Sequence, residues 1–280
     1  MRMKLPDRIL AYVLLVWGSV LFILPFVWMV ASSFKTDQEI RTEYPPRFLP
    51  ETWHGENYAR VFSLENFPFA AYLTNSLLIT FFCVAGQVLV ASLVGYAFAR
   101  LRFRGKNALF LLVLATMMLP QQVTMVPLFI LYRLMGWIDT FKPLILPSYF
   151  GGYPFFIFLF RQFFLSIPRE VDEAARIDGC GHLDIWWRIL MPMARPAVAT
   201  VAVLTFLWTW NDFLQPLIYL NSHEMRTAAL ALNDFQTHHG ESHLDLLMAA
   251  SVIVLIPCLV LFFLAQVAYF KQIQVSGGKG

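Results

Sequence analysis

The chain has 280 residues and a net charge of +3; 14% of its residues are charged and 58% hydrophobic, with 27 Phe and a mean hydropathy of +0.60. A soluble domain carries about 25% charged residues, so a disordered chain, a nucleic-acid module and an ordinary soluble enzyme are excluded, and lipid is the expected solvent for much of the surface. The three cysteines, Cys83, Cys180 and Cys258, are too widely spaced for a disulfide framework or a metal pattern. Cys83 and Cys258 fall in apolar runs and read as small packing residues.

Stretches free of Asp, Glu, Lys and Arg run over Ile9–Phe34, Asn66–Ala99, Asn107–Tyr132, Pro143–Phe160, Pro196–Asn211 and Leu246–Phe270, the fifth extending in apolar character to about Leu220. A membrane helix needs about 20 apolar residues. The expected fold is therefore an all-α polytopic membrane protein, with spans at 9–34, about 70–99, 107–132, 143–160, 196–220 and 246–270. The whole chain, 1–280, reads as one transmembrane domain. The first run is longer than a signal-peptide core and reads as an uncleaved anchor.

With the N-terminus inside, segments 1–8, 100–106, 161–195 and 271–280 carry 14 of the 21 Lys and Arg. Arg100, Arg102, Arg104 and Lys106 crowd one seven-residue loop. This is the positive-inside pattern, and six spans place both termini in the cytoplasm.

Pro25, Pro120, Pro127, Pro147, Pro154, Pro216 and Pro257 lie in or at the ends of apolar runs and predict kinked helices that pack on protein or line a water-filled cavity. Ala91, Gly95 and Ala99 form a ladder of small residues that lets helices approach closely.

Segment 161–195 is the one long inside loop. Pro168, then Glu170, Asp172 and Glu173, then Gly179 predict a helix over about 168–178. Val171, Ala174 and Ala175 would form a small apolar stripe, and Asp172 could pair with Arg176. A second helix is expected over about 182–190. Leu183, Trp186, Trp187 and Leu190 would form its apolar face, with Asp184 and Arg188 paired opposite. Such a loop suits either the lipid headgroup region or a cytoplasmic partner, and the Ala-Ala stripe fits a protein groove better.

Glu173-Ala174-Ala175, three residues, Gly179, nine residues, Ile189, one residue, Met191-Pro192 resembles the EAA loop of ABC-importer permeases, E-A-A-x3-G-x9-I-x-L-P, with Met191 in place of Leu. Pro120 and Pro127, Pro168, Trp210-Asn211-Asp212-Phe213 and the Gly277-Gly278-Lys279-Gly280 tail extend the resemblance to the carbohydrate-importer branch, the maltose-type smaller permease subunit. The resemblance implies a type I importer permease of the bacterial or archaeal inner membrane. Its partners would be a second permease, a cytoplasmic ATPase dimer and an extracytoplasmic solute-binding protein. Glu173, Ala174, Ala175, Asp178 and Gly179 would form a coupling elbow on the ATPase. Ile189 and Pro192 would join it to the fifth span, and Gly277, Gly278, Lys279 and Gly280 would reach toward the ATPase.

No G-x4-G-K-[ST] is present, so any ATP and Mg belong to a separate subunit. No catalytic constellation stands out, and the chain is not read as an enzyme or as binding a cofactor. His239 and His243 could share a metal if helical, but incidental loop histidines are the simpler reading, and no metal site is assigned. The loop that holds them, like 35–65, would face the binding protein. Asp212 is a path candidate beside Trp210 and Asn211, or a hydrated capping residue. Trp208, Trp210, Phe213 and Tyr219 suit either a sugar path or an interfacial aromatic belt. The solute under this resemblance is a sugar or oligosaccharide. Glycerol-3-phosphate or a polyol is the alternative, and an ion-driven secondary transporter the lesser one, disfavoured because the long spans lack central charges.

Overall fold

The computed structural model describes residues 5–42, 47–64, 67–237 and 243–276. Among the described residues every regular element is helical. In chain order these are α1 (Leu5–Ser32), α2 (Asp37–Thr42), α3 (Asn57–Ser63), α4 (Phe69–Arg100), α5 (Lys106–Thr116), α6 (Gln121–Leu134) and α7 (Lys142–Ile145). Then come α8 (Pro154–Ser166), α9 (Glu170–Ile177), α10 (His182–Asp184), α11 (Met191–Met193), α12 (Arg195–Trp210), α13 (Leu214–Tyr219), α14 (Ala228–Thr237) and α15 (Leu244–Ser276). Short 3-10 turns, Leu146–Tyr149 and His223–Met225, and a π-helical stretch, Ile185–Leu190, connect some of them.

Four stretches are long and apolar enough to cross a membrane: Asp7–Ser32, Phe69–Arg100, Lys142–Ser166 and Leu244–Gln266. Two bent pairs bring the total to as many as six. The chain divides into two compact units, Met1–Ala70 with Ala231–Pro257, and Ala71–Leu230 with Cys258–Gly280.

In the first unit α1 is apolar all round, and its side chains from Ile9 to Phe26 are almost all exposed. Such a helix is stable only in lipid or against another apolar surface. Just past its C-terminus the chain is held by buried Asn57, whose amide donates to the Ser33 and Lys35 carbonyls at 3.0 and 2.9 Å. Arg60 of α3 pairs with buried Asp245 of α15 at 3.2 Å. Asp37 accepts the Leu244 N–H at 2.8 Å, and Phe67 meets Phe235 edge-on at 4.5 Å.

The second unit is built on α4 and α8. A Cβ on Gly95 would lie 2.7 Å from the Phe160 Cβ and 3.0 Å from the Arg161 nitrogen. The small-residue ladder thus does what its spacing predicts, and Ala91 and Ala99 are buried beside it. Phe156, Phe160, Phe164, Ile185, Leu190 and Val201 form the centre of the core.

Two of the expected proline-bearing spans are broken. The 107–132 stretch bends by 95° between α5 and α6. Pro120 stands at the break with extended backbone, ψ 134°, since it cannot supply the N–H that would continue the helix. The 196–220 stretch is α12, about 24 Å long at 1.5 Å per residue, then a turn at Asn211–Phe213 and the short α13. α12 leaves the preceding helical segment His182–Met193 at 81°; the bend falls at buried Ala194, where Pro196 opens the new helix.

Candidate functional site

The segment after α8 is an elbow of two helices. Ile167 is extended because Pro168 follows it. α9 then starts with Glu170, Asp172 and Glu173 in its first turn, where the helix dipole favours acids. It ends in a complete Schellman motif. Gly179 takes φ +83°, the Cys180 N–H donates to the Ala175 carbonyl at 2.9 Å, and the Gly179 N–H donates to Arg176 at 3.0 Å.

The expected stripe of Val171, Ala174 and Ala175 splits. Ala175 is buried and Val171 half-buried in the core, while Ala174 is exposed. The cause is Asp172, which turns inward rather than pairing with Arg176. Its Oδ2 lies 2.8 Å from Nε of Arg100, the last residue of α4. Both side chains are buried, at 3% exposure for Arg100 and 11% for Asp172. Arg100 also donates through Nη2 to the Ile167 carbonyl at 2.9 Å. One guanidinium therefore ties the end of α4 to both the start and the first turn of the elbow.

The outer face of α9 consists of Glu173, Ala174, Ile177 and Asp178, all exposed, followed by exposed Gly179. Ile177 is 87% exposed.

The second helix departs from the expected face because Ile185–Leu190 is π-helical. Its i→i+5 bonding widens the turn. Ile185, Trp186 and Leu190 face the core, whereas Leu183 and Trp187 are exposed. Asp184 and Arg188 pair at 3.3 Å as their spacing predicts. His182 is held by Tyr96 of α4, Nδ1 to hydroxyl, at 3.2 Å. Ile189 packs half-buried on the core and Pro192 is exposed. Gly277, Gly278, Lys279 and Gly280 lie outside the described residues.

A cavity of about 440 Å³ opens within the second unit. α4 contributes Ser76 and Cys83, the start of α6 Gln121 and Gln122, the 3-10 turn Ser148, the α12–α13 turn Asp212, and α13 Gln215. Trp208, Tyr153 and Tyr219 add aromatic wall. Asp212 lines the cavity and accepts the Gln215 N–H at 3.2 Å, so it also caps α13. Trp210 is buried and stacked on Phe206 at 5.6 Å, and Asn211 folds its amide back onto the Leu207 carbonyl. Neither lines the cavity, whereas Trp208, Thr209 and Asp212 do. No sequence signal marked Ser148, Tyr153, Gln121 or Gln122, which come from segments far apart in the chain.

His238, His239 and Glu241 lie outside the described residues. Among the described residues no group of three or more His, Cys, Asp or Glu could hold a metal ion.

Residues 87–274 match the family described as "Binding-protein-dependent transport system inner membrane component". The arabinooligosaccharides transport system permease protein AraQ of Halalkalibacterium halodurans is 35% identical over 92% of this chain and 91% of its own length. The trehalose/maltose transport system permease protein MalG of Thermococcus litoralis is 32% identical over 98% and 99%. A solved bacterial ABC transporter involved in import of the acidic polysaccharide alginate superposes with a TM-score of 0.83, covering 95% of this chain and 98% of the matched one at 24% identity, a likeness of fold. The chain thus belongs to the binding-protein-dependent transport system permeases, multi-pass components of the bacterial or archaeal inner membrane.

Proposed function

We propose that this chain is one permease subunit of an ATP-driven importer for a neutral sugar or oligosaccharide. Residues 1–280 act as a single transmembrane domain with both termini in the cytoplasm. A second permease completes the path, a cytoplasmic ATPase dimer drives it, and an extracytoplasmic binding protein delivers the solute. The chain itself hydrolyses nothing.

The observation that carries this reading is the elbow. A short helix exposes Glu173, Ala174, Ile177 and Asp178 while a buried ion pair anchors its other face to α4. A surface that must transmit force needs both an exposed contact and a rigid attachment. Glu173, Ala174, Ala175, Asp178 and Gly179 form this coupling elbow, Ile189 and Pro192 join it to α12, and Gly277–Gly280 reach toward the ATPase. The names of the relatives, arabinooligosaccharide and trehalose/maltose systems, support a saccharide solute.

Glycerol-3-phosphate is the second reading. The cavity wall speaks against it, since Asp212 is its one charged side chain among the described residues and a phosphate would meet no cation there.

Two measurements test the proposal. An ATPase subunit expressed with this chain should co-purify with it, and Glu173→Lys or Gly179→Asp should abolish the association while the permease still folds. Reconstituted complex should take up labelled maltotriose or arabinotriose only with ATP and the binding protein. Transport by this chain alone, without ATP, would overturn the reading.

A further inference from the structure

Two of the cavity's aromatic walls are fixed by packing. Trp208 stacks on buried Phe156 at 5.2 Å and meets Tyr153 edge-on at 5.3 Å. Tyr219 is held edge-on against Tyr132 at 5.3 Å. Trp208 itself remains 44% exposed. Between these rings stand neutral hydrogen-bonding groups, Gln121, Gln122 and Ser148, and the carboxylate of Asp212. Its volume of about 440 Å³ lies within the ~300–1,000 Å³ of small-molecule sites.

This is the chemistry of a neutral polyhydroxyl ligand. The apolar face of a sugar ring stacks on an indole or phenol. Its hydroxyls donate to a carboxylate and exchange hydrogen bonds with side-chain amides. An ionised carboxylate has about four acceptor positions, and the Gln215 N–H occupies one. The same carboxylate, with no cation beside it in the wall, repels a phosphate or uronate.

We infer that the cavity is a saccharide-binding site contained within this one chain, with Trp208 and Tyr153 as stacking surface and Asp212 as the group that accepts sugar hydroxyls and rejects anionic solutes. The inference rests on the importer reading and adds to it the place where the solute binds, a site that needs no residue from the second permease.

The test uses the complex of this chain with its partner permease and ATPase, without the binding protein. Radiolabelled maltotriose and arabinotriose are each measured by equilibrium dialysis, with trigalacturonate and choline as competitors, and uptake is measured on the same preparation once binding protein is added. Binding of a neutral trisaccharide is expected. Asp212→Asn should weaken it about tenfold or more, as loss of a hydrogen bond to a charged group does; Trp208→Leu should weaken it through loss of the stacking face, and Trp208→Phe should recover most of that loss. Trigalacturonate should not compete with the wild type. Equal affinity in the wild type and both variants would overturn the site, and so would undetectable binding in a preparation that still imports the sugar. Competition by choline as strong as by unlabelled sugar would also overturn it. Uptake confined to phosphorylated or uronic solutes would overturn the neutral-saccharide reading as well, whereas loss of the site with intact sugar uptake leaves the importer reading standing.

Discussion

Nε of Arg100 and Oδ2 of Asp172 lie 2.8 Å apart with both side chains buried, joining the last residue of α4 to the first turn of α9. Removing one partner of such a pair leaves an unpaired charge in the core and typically costs about 3–5 kcal/mol. Arg100→Met and Asp172→Leu should each lower the thermal midpoint sharply, and the double variant should recover part of the loss because the stranded charge is gone. Recovery would be incomplete, since the Ile167 carbonyl loses its donor. Thermal unfolding of the purified chain reads the stability. Co-purification of the ATPase reads whether the elbow still holds its place.

Gly179 has φ +83° and nothing within 4 Å of a Cβ placed on it. Substitution there is a matter of backbone conformation, not of space. Gly179→Ala should destabilise by about 1–2 kcal/mol, the cost of the left-handed region for an L-residue. Gly179→Asn should cost less, because Asn tolerates that region. Equal losses for the two would refute the conformational explanation; thermal unfolding measures them.

Gly95 and Gly86 are both crowded, but by different atoms. At Gly95 the obstacles are the Phe160 Cβ and the backbone of residues 157 and 161, and at Gly86 the ring of Tyr149. A ring can rotate aside, whereas a helix backbone must be displaced. Gly95→Ala should therefore cost about 1–3 kcal/mol, the range for overpacking, and Gly86→Ala less. Comparing the two thermal midpoints tests the ordering.

Asp139 links two loops. It takes φ +60°, and its carboxylate accepts hydrogen bonds from the Ser222 hydroxyl and from the Ser222 and Asn221 N–H groups, the latter two at 2.9 Å. The Ser222 hydroxyl, then the Ser222 N–H, hold the carboxyl below the ordinary carboxylate range. A depressed pKa stabilises the fold above the unfolded-state value, near 3.9, and that contribution is lost as pH falls through the folded value. Wild-type stability should therefore fall as pH drops below about 4. Asp139→Asn keeps tolerance of the positive φ but removes the charge, and should flatten that part of the pH profile. An unchanged profile would show that the clasp contributes nothing.

The elbow was more legible in sequence than the cavity. Gly179 as a helix stop follows from glycine's access to positive φ and Asp184–Arg188 as a pair from a spacing of four residues on a helix, and the structure has both. An α-helical count puts Trp187 on the apolar face of the second helix, but the π turn changes which residues align, and Ile185 takes that place. Local spacing pairs Asp172 with Arg176, whereas its partner in the structure, Arg100, lies 72 positions away in the chain.

The sequence by itself determined that the chain is a polytopic α-helical membrane protein with a loop whose spacing resembles the EAA pattern, because composition, apolar run length and motif spacing are local properties. Tertiary structure decided which face of α9 is exposed, where the 107–132 stretch breaks, and that Asp212 joins Cys83, Tyr153 and Trp208 around one cavity. Those features depend on which helices approach and which charges are buried together, and such contacts join residues whose separation in the chain carries no periodic signal.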